Sequence, residues 1–213
     1  MSSVRNSFKT DFKRAILSPG FAAGVLLEFW IFLQAGSNSD LFRISVPVIC
    51  TLPYTTAWLN DYQTGFLKLY LPRTGMPAYI AGKILACGIS GGAAEALGVF
   101  LCLFFQKETP ADAMNLVLIF ASGMLWAVLS ATLAAWSNSR YIAYGGGFVI
   151  YYLFVILHER YFKELYFIDP YEWLSPQHTW IFGKYGVLIL MGAIISLLMF
   201  LYALILRRCI RNV

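Results

Sequence analysis

Six long runs of apolar residues fill most of this chain and leave little sequence between them. A hydrocarbon core about 30 Å thick is crossed by about 20 residues of α-helix, so runs of this length are typical of transmembrane helices. We therefore predict an all-α membrane protein with six spans, at residues 19–35, 41–59, 79–105, 113–136, 141–157 and 180–206.

The composition excludes a water-soluble fold. Hydrophobic residues make up 59% of the chain and charged residues 13%, whereas soluble domains carry about 25% charged residues. We expect a single transmembrane domain over residues 1–213, with little of it outside the bilayer. The four cysteines are scattered, so we expect free thiols packed as small apolar side chains.

Basic residues predict the orientation, because Lys and Arg accumulate on the cytoplasmic side. In a six-span arrangement, eleven of the sixteen basic residues lie at the termini or in the loops on the same side as the termini. The other side holds Arg43, Lys107, Arg160, Lys163 and Lys184, together with most of the loop acids, such as Glu108 and Asp112. We predict a multi-pass protein of the bacterial inner membrane with both termini cytoplasmic. The net charge of +5 then reflects topology and contact with anionic lipid, and we expect no nucleic-acid partner.

The N-terminal segment, residues 1–18, has the pattern of a helix at the membrane interface. Phe8, Phe12 and Ile16 recur at helical spacing among several basic residues. Ser18 followed by Pro19 is a typical helix start, so the first span should begin there at an angle to the interfacial helix.

Two connections are unlike simple loops. Residues 60–78 form a cytoplasmic connection in which an Asn or Asp cap, apolar residues at spacings of three and four, and then Pro72 and Gly75 predict a short exposed helix. Such a helix suits either a partner protein or the membrane surface. Residues 158–183 form an outer loop rich in Tyr, Phe and Trp, for which we expect short re-entrant or interfacial helices before the last span.

Catalytic and metal-binding signals are weak. Residues 88–92 match GxSxG, which allows a rhomboid-like intramembrane serine protease with Ser90 as nucleophile, but His158 and His178 both border the outer loop and leave Ser90 without a base. We therefore expect no catalytic residues, no metal site and no enzymatic activity in this chain. No nucleotide-binding motif is present, so any ATP must be hydrolysed by another polypeptide.

Two acidic residues lie inside predicted spans, Glu28 in the first and Glu95 in the third. Intramembrane carboxylates are costly enough to suggest function, and these two could face a translocation path. They could equally be protonated or hydrogen-bonded to neighbouring helices. A proton-coupled secondary transporter is a further alternative, although we see no inverted repeat between the halves.

The chain resembles the membrane subunits of type 2 ABC exporters over nearly its whole length. The resemblance rests on the basic N-terminal helix, the six spans, the outer aromatic region and the first cytoplasmic loop, which carries Asp61, Thr64, Gly65, Phe66, Tyr70, Leu71, Arg73, Tyr79 and Lys83. Small residues in the third span, from Gly88 to Gly98, would let neighbouring helices pack closely.

That resemblance implies an ATP-driven exporter of an amphipathic or hydrophobic molecule, such as a peptide or a lipid-like compound. Residues 61–71 would be a coupling helix that docks on a separate ATPase, with these docking residues: Asp61, Tyr62, Gly65, Phe66, Leu69, Tyr70 and Arg73. The implied partners are two ABC ATPase subunits, which hold ATP and Mg²⁺, and a second permease subunit, identical or similar. The chain itself would bind no cofactor.

Overall fold

The computed structural model describes residues 2–36, 39–106 and 113–211, and these form an all-helical bundle without β-strands. The prediction of orientation also counted three charged residues that lie outside the described residues: Lys107, Glu108 and Asp112. The helices are α1 (Ser2–Ile16), α2 (Pro19–Ala35), α3 (Asp40–Ile49), α4 (Ala57–Gln63), α5 (Phe66–Thr74), α6 (Met76–Gln106), α7 (Ala113–Ser137), α8 (Arg140–Arg160), α9 (Pro170–Leu174) and α10 (Lys184–Arg211), with a 3₁₀ turn at Tyr166–Ile168 before α9.

Four helices in the described part of the chain, α6, α7, α8 and α10, are individually long and apolar enough to cross a membrane. They contain 31, 25, 21 and 28 residues, against the roughly 20 that a span requires. Helices α1 and α2 pass the same test only as a pair, bent by 55° between Ile16 and Pro19. These helices therefore provide four or five candidate spans, and the count of six stays a prediction.

The second predicted span, residues 41–59, is not one continuous helix. Helix α3 ends at Ile49, turns occupy residues 50–56, and α4 begins at Ala57. Pro53 has no backbone N–H to continue the helix, and the backbone N–H and the hydroxyl of Thr51 both donate to the carbonyl of Val48, at 3.1 and 2.6 Å. Apolar composition alone could not reveal this interruption.

Helix α6 lies at the centre of the bundle, packed against α1, α2 and α7. Glycines on three of its faces permit these contacts. A Cβ atom at Gly82 would lie 2.8 Å from Ser7 Oγ of α1, and one at Gly98 would lie 2.6 Å from Glu28 Cβ of α2. A Cβ at Gly91 would collide with the Cβ of Ala127 in α7 and would lie 2.8 Å from the carbonyl oxygen of Cys50. The small residues of the third predicted span therefore face close neighbours.

Helix α1 packs on α6 through small and polar residues. Ser7, Asp11 and Ala15, spaced four apart, are buried. The aromatic side chains of Phe8 and Phe12 stack on each other at 5.3 Å and are only partly buried, and Ile16 is exposed. The predicted apolar face thus points away from α6, and its placement at the membrane interface stays a prediction.

The outer helices leave most of their surface uncovered. In the most apolar stretch of each helix, 61% of α6 and 67% of α7 are buried, compared with 22% of α8 and 17% of α10. Exposed apolar side chains on α8 and α10 suit contact with lipid or with another membrane subunit.

Candidate functional site

A buried cluster of charges joins α1, the start of the predicted coupling loop and α6. We call it the charge cluster; its members are Asp11, Arg14, Asp61 and Lys83, with the hydroxyls of Tyr54 and Tyr79. Lys83 Nζ lies 2.7 Å from Asp61 Oδ2 and 3.1 Å from Asp11 Oδ1. Lys83 and Asp61 are each 1% exposed and Asp11 is 2% exposed, whereas the Arg14 side chain is 44% exposed and lies at the edge of the cluster.

Hydrogen bonds orient these charges. Arg14 Nη2 donates to Asp61 Oδ1 at 3.0 Å, and the Tyr79 hydroxyl donates to Asp61 Oδ2 at 3.0 Å. The Tyr54 hydroxyl donates to Asp11 Oδ1 at 2.7 Å and accepts from Lys83 Nζ at 2.8 Å. One aspartate of α4 is thereby linked to a base on α1 and a base on α6.

The electrostatics of the charge cluster are balanced, with two carboxylates facing one ammonium and one guanidinium. Burial by itself opposes ionisation of Asp61, but Lys83 and Arg14 outweigh that effect and hold the pKa of Asp61 below its usual value. Removing either base would leave a charge in a poorly solvated site, which is costly. The cluster therefore fixes α1, α4 and α6 relative to one another.

The predicted coupling helix, residues 61–71, is in fact two helices. Helix α4 ends at Gln63 and α5 begins at Phe66, because Gly65 adopts φ of +71°, a left-handed conformation that glycine accepts without strain. The prediction that Pro72 ends the helix is wrong, since Pro72 lies within α5. Gly75, with φ of +83°, follows its last residue, Thr74, as expected.

The predicted docking residues do not share one environment. Asp61 is buried in the charge cluster and presents no surface to a partner. Tyr62 is 41% exposed, Leu69 is 75% exposed and Arg73 is exposed. Gly65, Phe66 and Tyr70 are half-buried. The loop therefore has an exposed surface formed by Tyr62, Leu69 and Arg73, and Asp61 connects the loop to the protein interior.

Helix α5 is attached to the bundle by Leu67, which is outside the predicted docking set, and by Phe66 and Tyr70, which belong to that set. Leu67 is 1% exposed. Phe66 stacks on Tyr70 at 5.1 Å, and Tyr70 lies edge-on to Tyr79 of α6 at 6.0 Å. The guanidinium of Arg14 lies 5.3 Å from the centre of the Phe66 ring. Helix α5 therefore packs beside the charge cluster.

The two intramembrane acids, Glu28 and Glu95, are brought together. Both are fully buried, and their carboxyl groups lie within hydrogen-bonding reach of each other. No other side chain among the described residues donates a hydrogen bond to Glu95 or to Oε1 of Glu28. We call these two residues the carboxyl pair. The sequence indicated each acid separately but could not show that the two side chains lie together in the structure.

The outer loop is organised around Glu172. Its carboxylate accepts from the backbone N–H of Gln177 and of His178, pairs with His178 Nδ1 at 2.9 Å, and accepts from Trp180 Nε1 at 3.3 Å. Asp169 caps α9 by accepting from the Tyr171 N–H at 2.9 Å. Short helical turns thus occur here as predicted, while their depth in the membrane stays a prediction.

Both histidines are engaged in this outer region. His158 Nε2 lies 3.7 Å from Asp169 Oδ2, and His178 pairs with Glu172. The Ser90 hydroxyl donates to the carbonyl of Cys87 at 3.2 Å inside α6. Across residues 2–36, 39–106 and 113–211, no group of three or more His, Cys, Asp or Glu side chains could hold a metal ion.

Sequence reasoning missed Asp11 and Tyr54 and treated Lys83 as an exposed loop charge. A usable signal existed for Asp11, which is the one acid in the basic segment up to Arg14 and shares a helical stripe with Ser7 and Ala15. For Lys83 the signal was its position four residues inside the third predicted span, where an isolated lysine requires an acidic partner.

Comparison with known proteins gives no further information about this site. No protein-family model, no curated protein and no solved structure matches this chain.

Proposed function

We propose that this chain is the transmembrane permease subunit of an ATP-driven exporter, with ATP hydrolysed on a separate ABC ATPase. The observation that carries the proposal is the connection made by Asp61, which joins an exposed loop to α1 through Arg14 and to α6 through a buried ion pair with Lys83. A movement imposed on the exposed surface of α4 and α5 would be transmitted to α1 and α6 through these ion pairs and not through a flexible linker.

The surface available to the ATPase consists of Tyr62, Leu69 and Arg73. An exposed leucine beside an aromatic and an arginine is the composition that protein interfaces favour. In this proposal Asp61 transmits movement and makes no direct contact with the ATPase. The partners are two ATPase subunits and a second permease subunit, which α8 and α10 have free apolar surface to contact.

The first test is co-purification of an ATPase with the tagged chain in mild detergent, with crosslinking to retain weak complexes. We expect an ATPase to be recovered with the wild-type protein. Failure to recover one after crosslinking would overturn the proposal.

The second test places the docking surface. Leu69→Asp and Arg73→Glu should each lower ATPase recovery at least about tenfold, because each removes a contact or reverses a charge at the interface. The control is Lys9→Glu, the same charge reversal at an exposed position of α1. Equal loss in the control, or unchanged recovery in both loop variants, would place docking elsewhere.

A proton-coupled secondary transporter is the second candidate, and the carboxyl pair favours it, because buried acids are the groups that carry protons across membranes. The two functions separate in proteoliposomes that contain only this chain. Transport driven by a pH gradient alone would support the secondary transporter, whereas transport that requires the ATPase and ATP would support the exporter.

A further inference from the structure

An open apolar groove lies next to Glu28 of the carboxyl pair, with Ser45 between them. It has a volume of about 870 Å³ and lies between α2, α3 and α8, with walls formed by Leu27, Ile31, Ile44, Val48 and Phe148. Sites for small organic ligands usually measure about 300–1,000 Å³. The groove is therefore large enough for the hydrocarbon part of an amphiphile.

Ser45 connects the groove to the acids. It lines the groove, and its Oγ lies 3.4 Å from Glu28 Oε2. The same hydroxyl donates to the carbonyl of Phe42 at 2.7 Å. Because a hydroxyl has one proton, that shorter bond leaves Glu28 Oε2 only weakly satisfied.

The carboxyl pair lacks a cation. None of the ion pairs formed among the described residues includes Glu28 or Glu95, and no other side chain donates to three of the four carboxyl oxygens. Two adjacent buried acids share one proton, and a buried carboxylate is usually paired with a cation. The pair therefore keeps one negative charge that no cation among the described residues neutralises.

The backbone near the pair is interrupted as well. The carbonyl of Cys50, the first residue after α3, packs against α6 at Gly91, one turn before Glu95. Irregular backbone at membrane depth occurs where it is enclosed by protein or borders a binding cavity. An interrupted helix, two unpaired acids and an apolar groove therefore coincide in one region.

From this coincidence we infer that the carboxyl pair binds the ammonium group of an amphiphilic amine whose hydrocarbon tail lies in the groove. An ammonium offers three N–H donors to the unsatisfied oxygens and neutralises the charge that the pair carries. Inorganic cations would leave the groove unused. The inference also names the substrate class of the exporter. Binding of the amine stands by itself, whereas its transport rests on the function proposed above.

The probe is dicyclohexylcarbodiimide, an apolar reagent that modifies protonated carboxyl groups, used on the purified full-length chain in non-ionic detergent. Modification is measured by peptide mass spectrometry as the loss of unmodified Glu28 and Glu95 with and without dodecylamine, so that an amide formed by amine attack on the activated carboxyl, with release of dicyclohexylurea, also counts as modification. We expect the amine to slow modification by about tenfold or more, as expected for hydrogen bonds to a charged group. Dodecanol, which has the same tail without the charge, should slow it less than twofold.

Substitutions in the groove wall test the position of the hydrocarbon tail without changing Glu28 or Glu95. Val48→Trp should obstruct the groove near Ser45 and abolish protection by dodecylamine, measured against the same variant without amine. Leu26→Trp is the matched control, at an exposed position of α2 outside the groove wall. Protection retained in Val48→Trp would overturn the placement of the tail.

Three other results would overturn the inference. Equal protection by dodecanol would mean that the groove accepts any chain regardless of charge. Modification that responds to pH or sodium but not to dodecylamine would indicate a proton or inorganic cation site. Complete absence of modification would mean that no protonated carboxyl of the pair can be reached from the groove. None of these outcomes depends on an ATPase, so co-purification tests the proposed function separately.

Discussion

At the scale of single residues, Lys83 holds the charge cluster together, because its ammonium contacts both Asp11 and Asp61. Lys83→Met keeps the length of the side chain but leaves two buried carboxylates facing only Arg14. Breaking a buried ion pair from one side costs about 3–5 kcal/mol. We expect a loss of stability of that size in thermal or denaturant unfolding in detergent.

Lys68→Met is the control for this variant, since Lys68 is exposed and its loss should change stability by less than about 0.5 kcal/mol. Equal stability of the two variants would mean that Asp11 and Asp61 are neutral in the folded protein.

Glu172 gives a prediction about pH. Burial works against ionisation, but the hydrogen bonds from His178, Trp180 and Gln177 outweigh it and keep the pKa of Glu172 below its usual value. A lowered folded pKa contributes stability above the unfolded pKa of about 4.3, and this contribution is lost as the pH falls through the folded value. Wild-type stability should therefore drop on acidification below about pH 4.3.

Glu172→Gln should lower stability at pH 7 by about 1–3 kcal/mol, the cost of weakening several bonds to one buried acceptor, and should reduce the drop on acidification. Differential scanning fluorimetry over a pH series measures both effects. Glu159→Gln, at an exposed position, should match the wild type. An acid response in Glu172→Gln as large as that of the wild type would assign the effect to another group.

At the scale of helices, the contact between α2 and α6 depends on Gly98. A Cβ atom there would lie 2.6 Å from Glu28 Cβ and 3.0 Å from the backbone nitrogen of Phe29, so the helices must move apart to accept it. We expect Gly98→Ala to lower the unfolding temperature, at a cost of about 1–3 kcal/mol. It should also change the reactivity of the carboxyl pair.

Gly192→Ala is the matched control in α10, where an added Cβ meets nothing within 4 Å. It should be neutral or slightly stabilising, because alanine favours helix more than glycine does. If Gly98→Ala behaved in the same way, α2 and α6 would lie farther apart than the structure has them.

The helices themselves were largely predictable. Helix α2 begins at Pro19 as predicted, because the Ser18 side chain caps it by accepting from the Phe21 N–H at 3.1 Å, a local interaction that sequence encodes. The pairings were not predictable. Lys83 meets Asp11 only because Gly82 lets α1 approach α6, and hydropathy does not specify which helix faces which.

At the scale of the whole molecule, the interrupted segment from α3 to α4 decides the topology. If it crosses the membrane together with the α1–α2 pair and the four long helices, the count is even and both termini face the same side. If it returns to the side from which it entered, the termini lie on opposite sides. We predict that the termini lie on the same, cytoplasmic side.

Reporter fusions to the two ends of the full chain test this topology, with one reporter active only in the cytoplasm and another active only outside it. Both ends should report the cytoplasm. Opposite locations would reduce the count to five and make α3 a re-entrant element. A fusion in the outer loop near Lys163, which is exposed, serves as the control for the external side.

The ion pair between Asp11 and Lys83 also has a consequence for biogenesis. The ribosome completes α1 long before α6 emerges, so Asp11 has no lysine partner during early synthesis. An unpaired acid is held at the aqueous surface by its hydration until a base becomes available. Helix α1 is therefore made before α6 but cannot reach its final position until α6 is present, and a chain truncated before Lys83 would display an unburied α1 to cellular proteases.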